Sequence, residues 1–289
     1  MLVFKRLTAA VVMIGALLAG ASLAGASAVW AADGMPSDWQ MSFQQSATPV
    51  MDDIVRFHTG LLYTIIAIAG FVLLLLLIVV VRFNARSNPT PSRTTHNTWL
   101  EVAWTGIPVV ILVAIAIPSF KLLFLQLNTP EADLTVKATG KQWYWTYSYP
   151  DNGKFEFDSL LVRDVTKLRA DQPRLLGVDN EMVVPVNKTV RVLTIGNEVI
   201  HAFAVPAFGI KIDAIPGRIN ETWFKATREG IYYGQCSELC GKDHAFMPIA
   251  VRVVSEQAFA TWLDEAKRKW ARDDSTPKSF AAAEQTTAR

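Results

Sequence analysis

The chain has 289 residues, of which 51% are hydrophobic and 19% are charged, and its formal net charge is +2. A charge so close to neutral, without a long basic run, argues against nucleic acid as a partner. The high hydrophobic share indicates a few membrane spans joined to one water-soluble domain of ordinary size.

The N-terminus has the three-part pattern of a secretory signal peptide. The basic pair Lys5 and Arg6 precedes an apolar stretch, and small residues then follow as far as Ala32. Because the apolar stretch is short for a span, we predict that residues 1–32 are a signal peptide that is removed on export. An uncleaved membrane anchor is the alternative. Residues 33–58 are then an N-terminal segment outside the membrane.

Two apolar stretches, residues 59–81 and 99–126, have the roughly 20 residues that a transmembrane helix needs. The loop between them, residues 82–98, contains three arginines and no acidic residue. The positive-inside rule places such a loop in the cytoplasm. We therefore predict a two-pass hairpin with the N-terminal segment and everything after the second span on the outer side.

Residues 130–255 are rich in short β-patterns. Leu134–Thr139 and Thr189–Ile195 alternate apolar and polar residues, and turn residues separate such runs, which predicts a β-sandwich or barrel. Residues 256–272 carry the apolar stripe of a helix, and residues 273–289 are predicted to be a disordered tail. The predicted fold is a membrane-anchored all-β protein: a transmembrane hairpin, a β-sandwich and a short C-terminal helix.

Four side chains that bind soft metals crowd the loop between the last two predicted strands. They are Cys236, Cys240, His244 and Met247. Thiolate, imidazole and thioether are donors that hold copper. His201 stands 35 positions before Cys236, a separation that suits a ligand from another strand of the same domain.

Three simpler interpretations compete with a two-copper site. A disulfide is common in exported proteins with two cysteines, but it would leave both histidines and Met247 unexplained. Zinc sites of two cysteines and two histidines come as two close pairs, and a thioether is a poor zinc ligand. A single blue-copper ion needs only one cysteine. Two copper ions bridged by two thiolates, with one histidine on each, use every residue, and we favour this hypothesis.

Four strings follow one another in order behind the two spans. They are GKQWYWTY from Gly140, VIHAFAVP from Val199, KIDAIPGR from Lys211 and YYGQCSELCGKDHAFMP from Tyr232. Over roughly residues 50–270, the chain resembles subunit II of the haem–copper cytochrome c oxidases, of the bacterial kind with a signal peptide. The resemblance implies a bacterial inner-membrane protein whose N-terminus and copper domain are periplasmic.

The resemblance also implies a cupredoxin domain with the dinuclear copper centre called CuA. The implied copper contacts are Cys236 and Cys240 as bridges, His201 and His244 on one copper each, and Met247 and the Glu238 backbone carbonyl as axial contacts. The Glu238 side chain is implied to bind a magnesium ion shared with the catalytic subunit, and a carboxylate suits this hard cation. From sequence alone, a solvated loop charge is the simpler interpretation of Glu238.

Two further roles follow from the resemblance. Trp143 matches the family's tryptophan where electrons arrive, and ordinary strand core is the alternative. Glu101 matches a glutamate at the cytoplasmic mouth of a proton-uptake path, and a solvated charge at a helix start is the alternative.

Docking of a lysine-rich cytochrome c requires a local acidic patch, because residues 128–255 have equal numbers of acidic and basic side chains. The candidate acids are Asp151, Glu156, Asp158, Asp179 and Glu198. Ser148 departs from the family, since many members have an acid there. A membrane-anchored cytochrome is therefore an alternative donor.

The implied function is that of an electron-accepting subunit of a respiratory oxidoreductase. It takes electrons from cytochrome c and passes them to the haem-containing subunit I, which reduces oxygen to water and pumps protons. Subunit III and the lipid bilayer are further expected partners. A copper-free quinol-oxidase relative is disfavoured by the intact cysteines and histidines. Nitrous oxide reductase is disfavoured by the two spans, and a copper chaperone by the shortage of methionines.

Overall fold

The structure is a computed structural model that describes residues 34–153 and 155–270. The predicted signal peptide and the predicted tail lie outside these residues. Two long helices come first, α1 at Pro49–Arg82 and α2 at Thr98–Leu127. Both are long and apolar enough to cross a membrane.

Helix α1 begins at Pro49, well before the predicted start of the span at residue 59. The reason is local. Thr48 is the N-cap residue, and its Oγ1 accepts a hydrogen bond of 3.0 Å from the Met51 backbone N–H. A proline in the first turn has the φ angle a helix requires and lacks only an N–H that would be unpaired there. The apolar pattern marked the lipid-facing part of a longer helix.

The start of α1 and the end of α2 are both hydrogen-bonded to the β-domain. Thr48 Oγ1 also donates to the Phe208 carbonyl at 2.8 Å. On the second helix, Trp223 Nε1 donates to the Leu125 carbonyl at 3.2 Å. The segment before α1 packs on this domain too, since the Ala47 carbonyl accepts from the Thr227 N–H at 2.9 Å. The N-terminal segment and the β-domain therefore lie at the same end of the hairpin.

In the described part of the chain, the β-domain has ten strands: β1 Leu134–Lys141, β2 Tyr144–Ser148, β3 Glu156–Ser159, β4 Met182–Pro185, β5 Val190–Gly196, β6 His201–Val205, β7 Ile210–Ala214, β8 Asn220–Phe224, β9 Gly230–Gln235 and β10 Pro248–Val254. One sheet has the order β3-β2-β1-β5-β8, a second has β4-β10-β9, and β6 and β7 form a hairpin. Strands β1 and β5 are parallel, as are β4 and β10.

The core forms where the alternating faces of the two sheets meet. Val190 and Val192 of β5 are fully buried, and Arg191 between them is only partly buried. Helix α3, Glu256–Lys269, closes one side and places Trp262 against Tyr149 with ring centroids 5.2 Å apart. The predicted fold class, a transmembrane hairpin followed by a β-sandwich and a C-terminal helix, is confirmed.

A close crossing of two strands positions the loop between β9 and β10. A Cβ atom on Gly234 of β9 would stand 1.9 Å from the Ala204 carbonyl oxygen of β6. Only glycine permits such an approach of two backbones. The Ser237 N–H then donates to the Ala202 carbonyl at 3.1 Å. The loop that follows β9 is therefore held against the first residues of β6, where His201 lies.

Candidate metal centre

The loop between β9 and β10 brings both cysteine sulfurs together. Cys236 and Cys240 are buried, and their Sγ atoms are 3.8 Å apart. A disulfide bond requires about 2.05 Å, so the two thiols are free. His201 completes a compact group in which the ligand atoms of all three residues lie within 4.8 Å of one another.

Each sulfur has its own set of neighbours. Cys236 Sγ lies 3.8 Å from His201 Nδ1 and 3.3 Å from the Glu238 carbonyl oxygen. Cys240 Sγ lies 3.5 Å from the Nδ1 atom of His244 and 3.6 Å from the sulfur of Met247. The donors are two thiols, two imidazoles, a thioether and a carbonyl. This set is typical of copper, because soft sulfur ligands select it over harder cations.

Burial sets the protonation states of two donors, His201 and Cys240, in the metal-free protein. His201 is fully buried, and desolvation lowers the pKa of its imidazole, the near side chain of Glu198 raising it in part. The ring is thus held neutral, as a metal ligand must be. Burial, with the neighbouring Cys236, raises the pKa of Cys240 to about 12. Its thiol is therefore protonated in the metal-free protein at neutral pH.

Gly140 on β1 makes room for the His201 ring. A Cβ atom at residue 140 would stand 2.7 Å from the ring's Cδ2 atom. On another side the ring meets Trp145, with ring centroids 6.0 Å apart in an edge-to-face arrangement. The imidazole is therefore confined by β1 and β2 and has little freedom to turn.

We expect Gly140→Ala to weaken copper binding without unfolding the domain. The added methyl group must push the buried His201 ring, and overpacking of this kind costs about 1–3 kcal/mol. Copper titration of the full chain should show a lower affinity. Gly106→Ala is a matched control, because its added Cβ meets nothing within 4 Å and the residue lies in helix α2, away from the cysteine loop. Equal copper affinity in the Gly140 variant and the wild type would contradict this prediction.

Trp143 is joined directly to the cysteine loop. Its Nε1 donates to the Cys240 carbonyl at 3.0 Å. Gly241, at a φ of +122°, lets the loop pass close to the indole, since a Cβ there would stand 2.8 Å from the ring. The side chain is partly exposed, whereas Trp145, two residues on, is fully buried. Trp143 therefore connects the protein surface to the backbone of the buried residue Cys240.

Sequence reasoning missed the residues that support these contacts. Gly140 and Gly241 stand beside His201 and Trp143, and each leaves space that a side chain would fill. Lys242 also places its Nζ 5.9 Å from the centre of the Trp143 ring. The sequence did contain a signal for Gly241, because it directly follows the candidate ligand Cys240. Glycine permits both a close approach of another group and a positive φ.

The predicted docking acids do not form one group. Asp158 lies beside Lys141, with 3.7 Å between Asp158 Oδ1 and Lys141 Nζ. Lys141 in turn is close in sequence to Trp143. Asp151 accepts from the Thr135 N–H at 3.1 Å, and this is the other end of β1, about 20 Å away along the strand.

The remaining predicted residues are also spread out. Glu156 is opposite Ser148 in the register of β2 and β3, and Asp179 accepts from the Leu160 N–H at 2.7 Å. Glu198 stands just before His201, and the Glu238 side chain is exposed. Glu101 lies in the first turn of α2, roughly 40 Å along the helix from its C-terminal end at Leu127.

The comparisons with known proteins agree with this architecture. The family "Cytochrome C oxidase subunit II, periplasmic domain" matches residues 134–254, and "Cytochrome C oxidase subunit II, transmembrane domain" matches residues 36–122. The probable cytochrome c oxidase subunit 2 of Rickettsia bellii (strain RML369-C) is 54% identical over 228 residues, which are 79% of this chain and 84% of the relative. Cytochrome c oxidase subunit 2 of Cereibacter sphaeroides is 49% identical over 251 residues, 81% and 82% of the two chains.

A solved structure resembles the β-domain. The periplasmic domain of subunit II of cytochrome oxidase of Bradyrhizobium japonicum is 71% identical, with a TM-score of 0.47, and the match covers 50% of this chain and 100% of that one.

The fold and the site define a two-span membrane protein with a copper-binding β-domain beyond the spans. Both family matches and the curated relatives extend this class to a particular family. The chain belongs to the cytochrome c oxidase subunit II family. It is thus a subunit of a haem–copper oxidoreductase, and its β-domain is the expected cupredoxin type.

Proposed function

We propose that this chain accepts electrons from cytochrome c at a dinuclear copper centre and passes them to the haem-containing catalytic subunit, which reduces oxygen to water and pumps protons. The observation that carries the proposal is the division of the site into two halves. Cys236 has His201 and a carbonyl oxygen beside it, and Cys240 has His244 and Met247. Two thiolates between two such halves suit a pair of coppers better than a single ion.

The residues of this chain supply the setting for rapid electron transfer. A bound copper pair supplies a one-electron carrier whose charge is shared over both metals. Burial of His201, Cys236 and Met247 excludes water, and the confined His201 ring fixes one imidazole. A site that cannot rearrange requires little reorganisation when its charge changes.

Trp143 is the proposed point at which electrons arrive. It is the aromatic side chain that connects the surface to the Cys240 backbone through a hydrogen bond. Asp158 is the proposed docking acid best placed to serve it, with Glu198 near the other half of the site. Asp151, Glu156 and Asp179 are proposed as outlying members of the docking surface.

Glu238 has two groups that face different ways. Its backbone carbonyl is directed at Cys236 Sγ, and its side chain is exposed at the surface of the outer domain. We infer that the carbonyl would contact bound copper and that the carboxylate would help hold a magnesium ion shared with the catalytic subunit. A single protein carboxylate is compatible with magnesium, which keeps several waters.

The topology proposed from the arginine-rich loop places the copper domain in the periplasm of a bacterial inner membrane. Removal of residues 1–32 as a signal peptide belongs to the same proposal. Glu101, at the opposite end of α2, would then face the cytoplasm and is a candidate for the mouth of a proton-uptake path. Subunits I and III are the proposed membrane partners.

Copper loading of the full chain in detergent tests the dinuclear site. We expect two coppers per chain and an EPR hyperfine pattern from one electron shared by two copper nuclei. One copper per chain with a pattern from a single nucleus would overturn the dinuclear proposal and leave a mononuclear site. A colourless, disulfide-bonded product would overturn copper electron transfer altogether.

Copper uptake should become tighter as pH rises. The thiol of Cys240 has a pKa of about 12 in the metal-free protein, so copper must displace its proton. Raising the pH lowers the cost of that displacement, and proton release should accompany binding. Isothermal titration in two buffers of different ionisation enthalpy measures the released protons. An affinity that does not change between pH 6 and pH 8 would contradict the expectation.

A further inference from the structure

A groove of about 1050 Å³ lies between the two membrane helices, near their outer ends. Both helices supply apolar walls, which include Leu61, Ile111, Ile115, Leu122 and Phe124. This volume slightly exceeds the usual range of small-molecule sites, which is about 300–1,000 Å³. Such a groove at membrane depth suits a long apolar ligand.

Small residues explain why the helices leave this space. Gly60 and Ala114 both line the groove, and a Cβ on Gly60 would meet nothing within 4 Å. Pro118 lines it as well. A proline has no N–H, so the Ala114 carbonyl lacks the partner that a regular helix would give it. The groove is thus a feature of the sequences of both helices.

One end of the groove is charged. Arg56, Asp53 and Lys121 line it there, together with the amide of Asn128. Arg56 Nη1 lies 2.6 Å from Asp53 Oδ1, so these two charges compensate each other. No residue in the ranges 34–153 and 155–270 forms an ion pair or a hydrogen bond with Lys121. The lining therefore has one positive charge in excess.

The depth of this charge matches a lipid headgroup. Lys121 is six residues before the end of α2 at Leu127, which is about 9 Å along the axis. A lysine side chain at this depth extends its ammonium group towards the polar interface. Arg56 stands just before the first lipid-facing stretch of α1. Both cations are thus at the boundary between headgroups and hydrocarbon.

We propose that this groove binds one anionic phospholipid of the outer leaflet. Its phosphate is held by Lys121, beside the compensated pair of Arg56 and Asp53, and an acyl chain lies between the two helices. Charge complementarity selects the occupant, because a zwitterionic lipid would leave the excess positive charge unbalanced. The lipid fills the gap in the hairpin directly beneath the β-domain. This inference does not depend on the copper chemistry.

Photo-crosslinking in the assembled oxidase tests the proposal. A benzophenone side chain replaces Ile115 in the groove or, as a control, Leu112, which is exposed and lies outside the groove lining. The complex is placed in nanodiscs of equal parts phosphatidylglycerol and phosphatidylcholine. We expect residue 115 to crosslink phosphatidylglycerol preferentially and residue 112 to show no preference. Crosslinking of residue 115 to another protein subunit would overturn the proposal.

Lys121→Gln provides the second measurement in the same nanodiscs. Loss of one lysine near an anionic headgroup should lower the phosphatidylglycerol preference about fivefold. Arg82→Gln is the matched control, because it removes a cation at the opposite end of α1, outside the groove. It should leave the preference at residue 115 unchanged. An unchanged preference in Lys121→Gln, or equal losses in both variants, would refute the lipid site.

Discussion

Replacing Cys240 by serine is expected to abolish oxidation of cytochrome c by the assembled complex. Serine retains the size of the side chain and removes the soft thiolate that copper selects. The Cys240 sulfur also lies near three other candidate metal donors. It is 3.8 Å from Cys236 Sγ, 3.5 Å from His244 Nδ1 and 3.6 Å from the Met247 sulfur. Loss of a direct ligand should exceed the roughly 10–100-fold cost of losing an outer partner of a metal ligand.

Copper content per chain and the steady-state rate with reduced cytochrome c are the two measurements. Ser237→Ala is the matched control, because Ser237 is exposed and, among the described residues, its hydroxyl donates to the Gln235 carbonyl alone, at 3.2 Å. It should retain both copper and activity. A Cys240→Ser protein that keeps two coppers and wild-type turnover would contradict the assignment of the site.

Trp143→Phe is expected to slow electron arrival while copper content stays the same. The phenyl ring can occupy much of the indole's place, but it has no N–H to donate to the Cys240 carbonyl. The electron must then cross a gap that a hydrogen bond now bridges. We expect a fall of at least about tenfold, or ~1.4 kcal/mol in activation free energy.

Stopped-flow reduction separates this effect from damage to the metal site. Reduction by cytochrome c should slow in the Trp143 variant, whereas reduction by a small reagent such as dithionite should not. Tyr144→Phe is the control, since it changes the next residue of the same aromatic run and leaves the Cys240 contact intact. Equal slowing with both reductants would show that Trp143 only supports the copper ligands.

The sequence was most informative where rare residue types met a strict local pattern. Cys236, Cys240, His244 and Met247 occupy one loop, so strand patterns on either side sufficed to place them together. His201 could be assigned because copper chemistry needed another imidazole. The alternating residues of β1 and β5 likewise predicted their buried faces.

Contacts between distant segments were beyond the sequence. The Trp143 side chain and the Cys240 carbonyl are separated by 97 positions, and no periodic pattern relates them. The acids were equally hard to place, because their spacing along the chain does not reveal that Asp151 and Asp158 contact opposite ends of β1. The start of α1 is a different case. Thr48 followed by Pro49 is a capping signal, but hydrophobicity marks only the part of a helix that meets lipid.

The two ties between the membrane helices and the β-domain have a mechanical consequence. Thr48 anchors one helix through the Phe208 carbonyl, and Trp223 anchors the other through the Leu125 carbonyl. A domain mounted at two points cannot tilt or rise over the bilayer without breaking one of them. These contacts therefore restrict the height of the cysteine loop above the membrane. An electron carrier would therefore have to come to this loop, because the loop has little freedom to move towards the carrier.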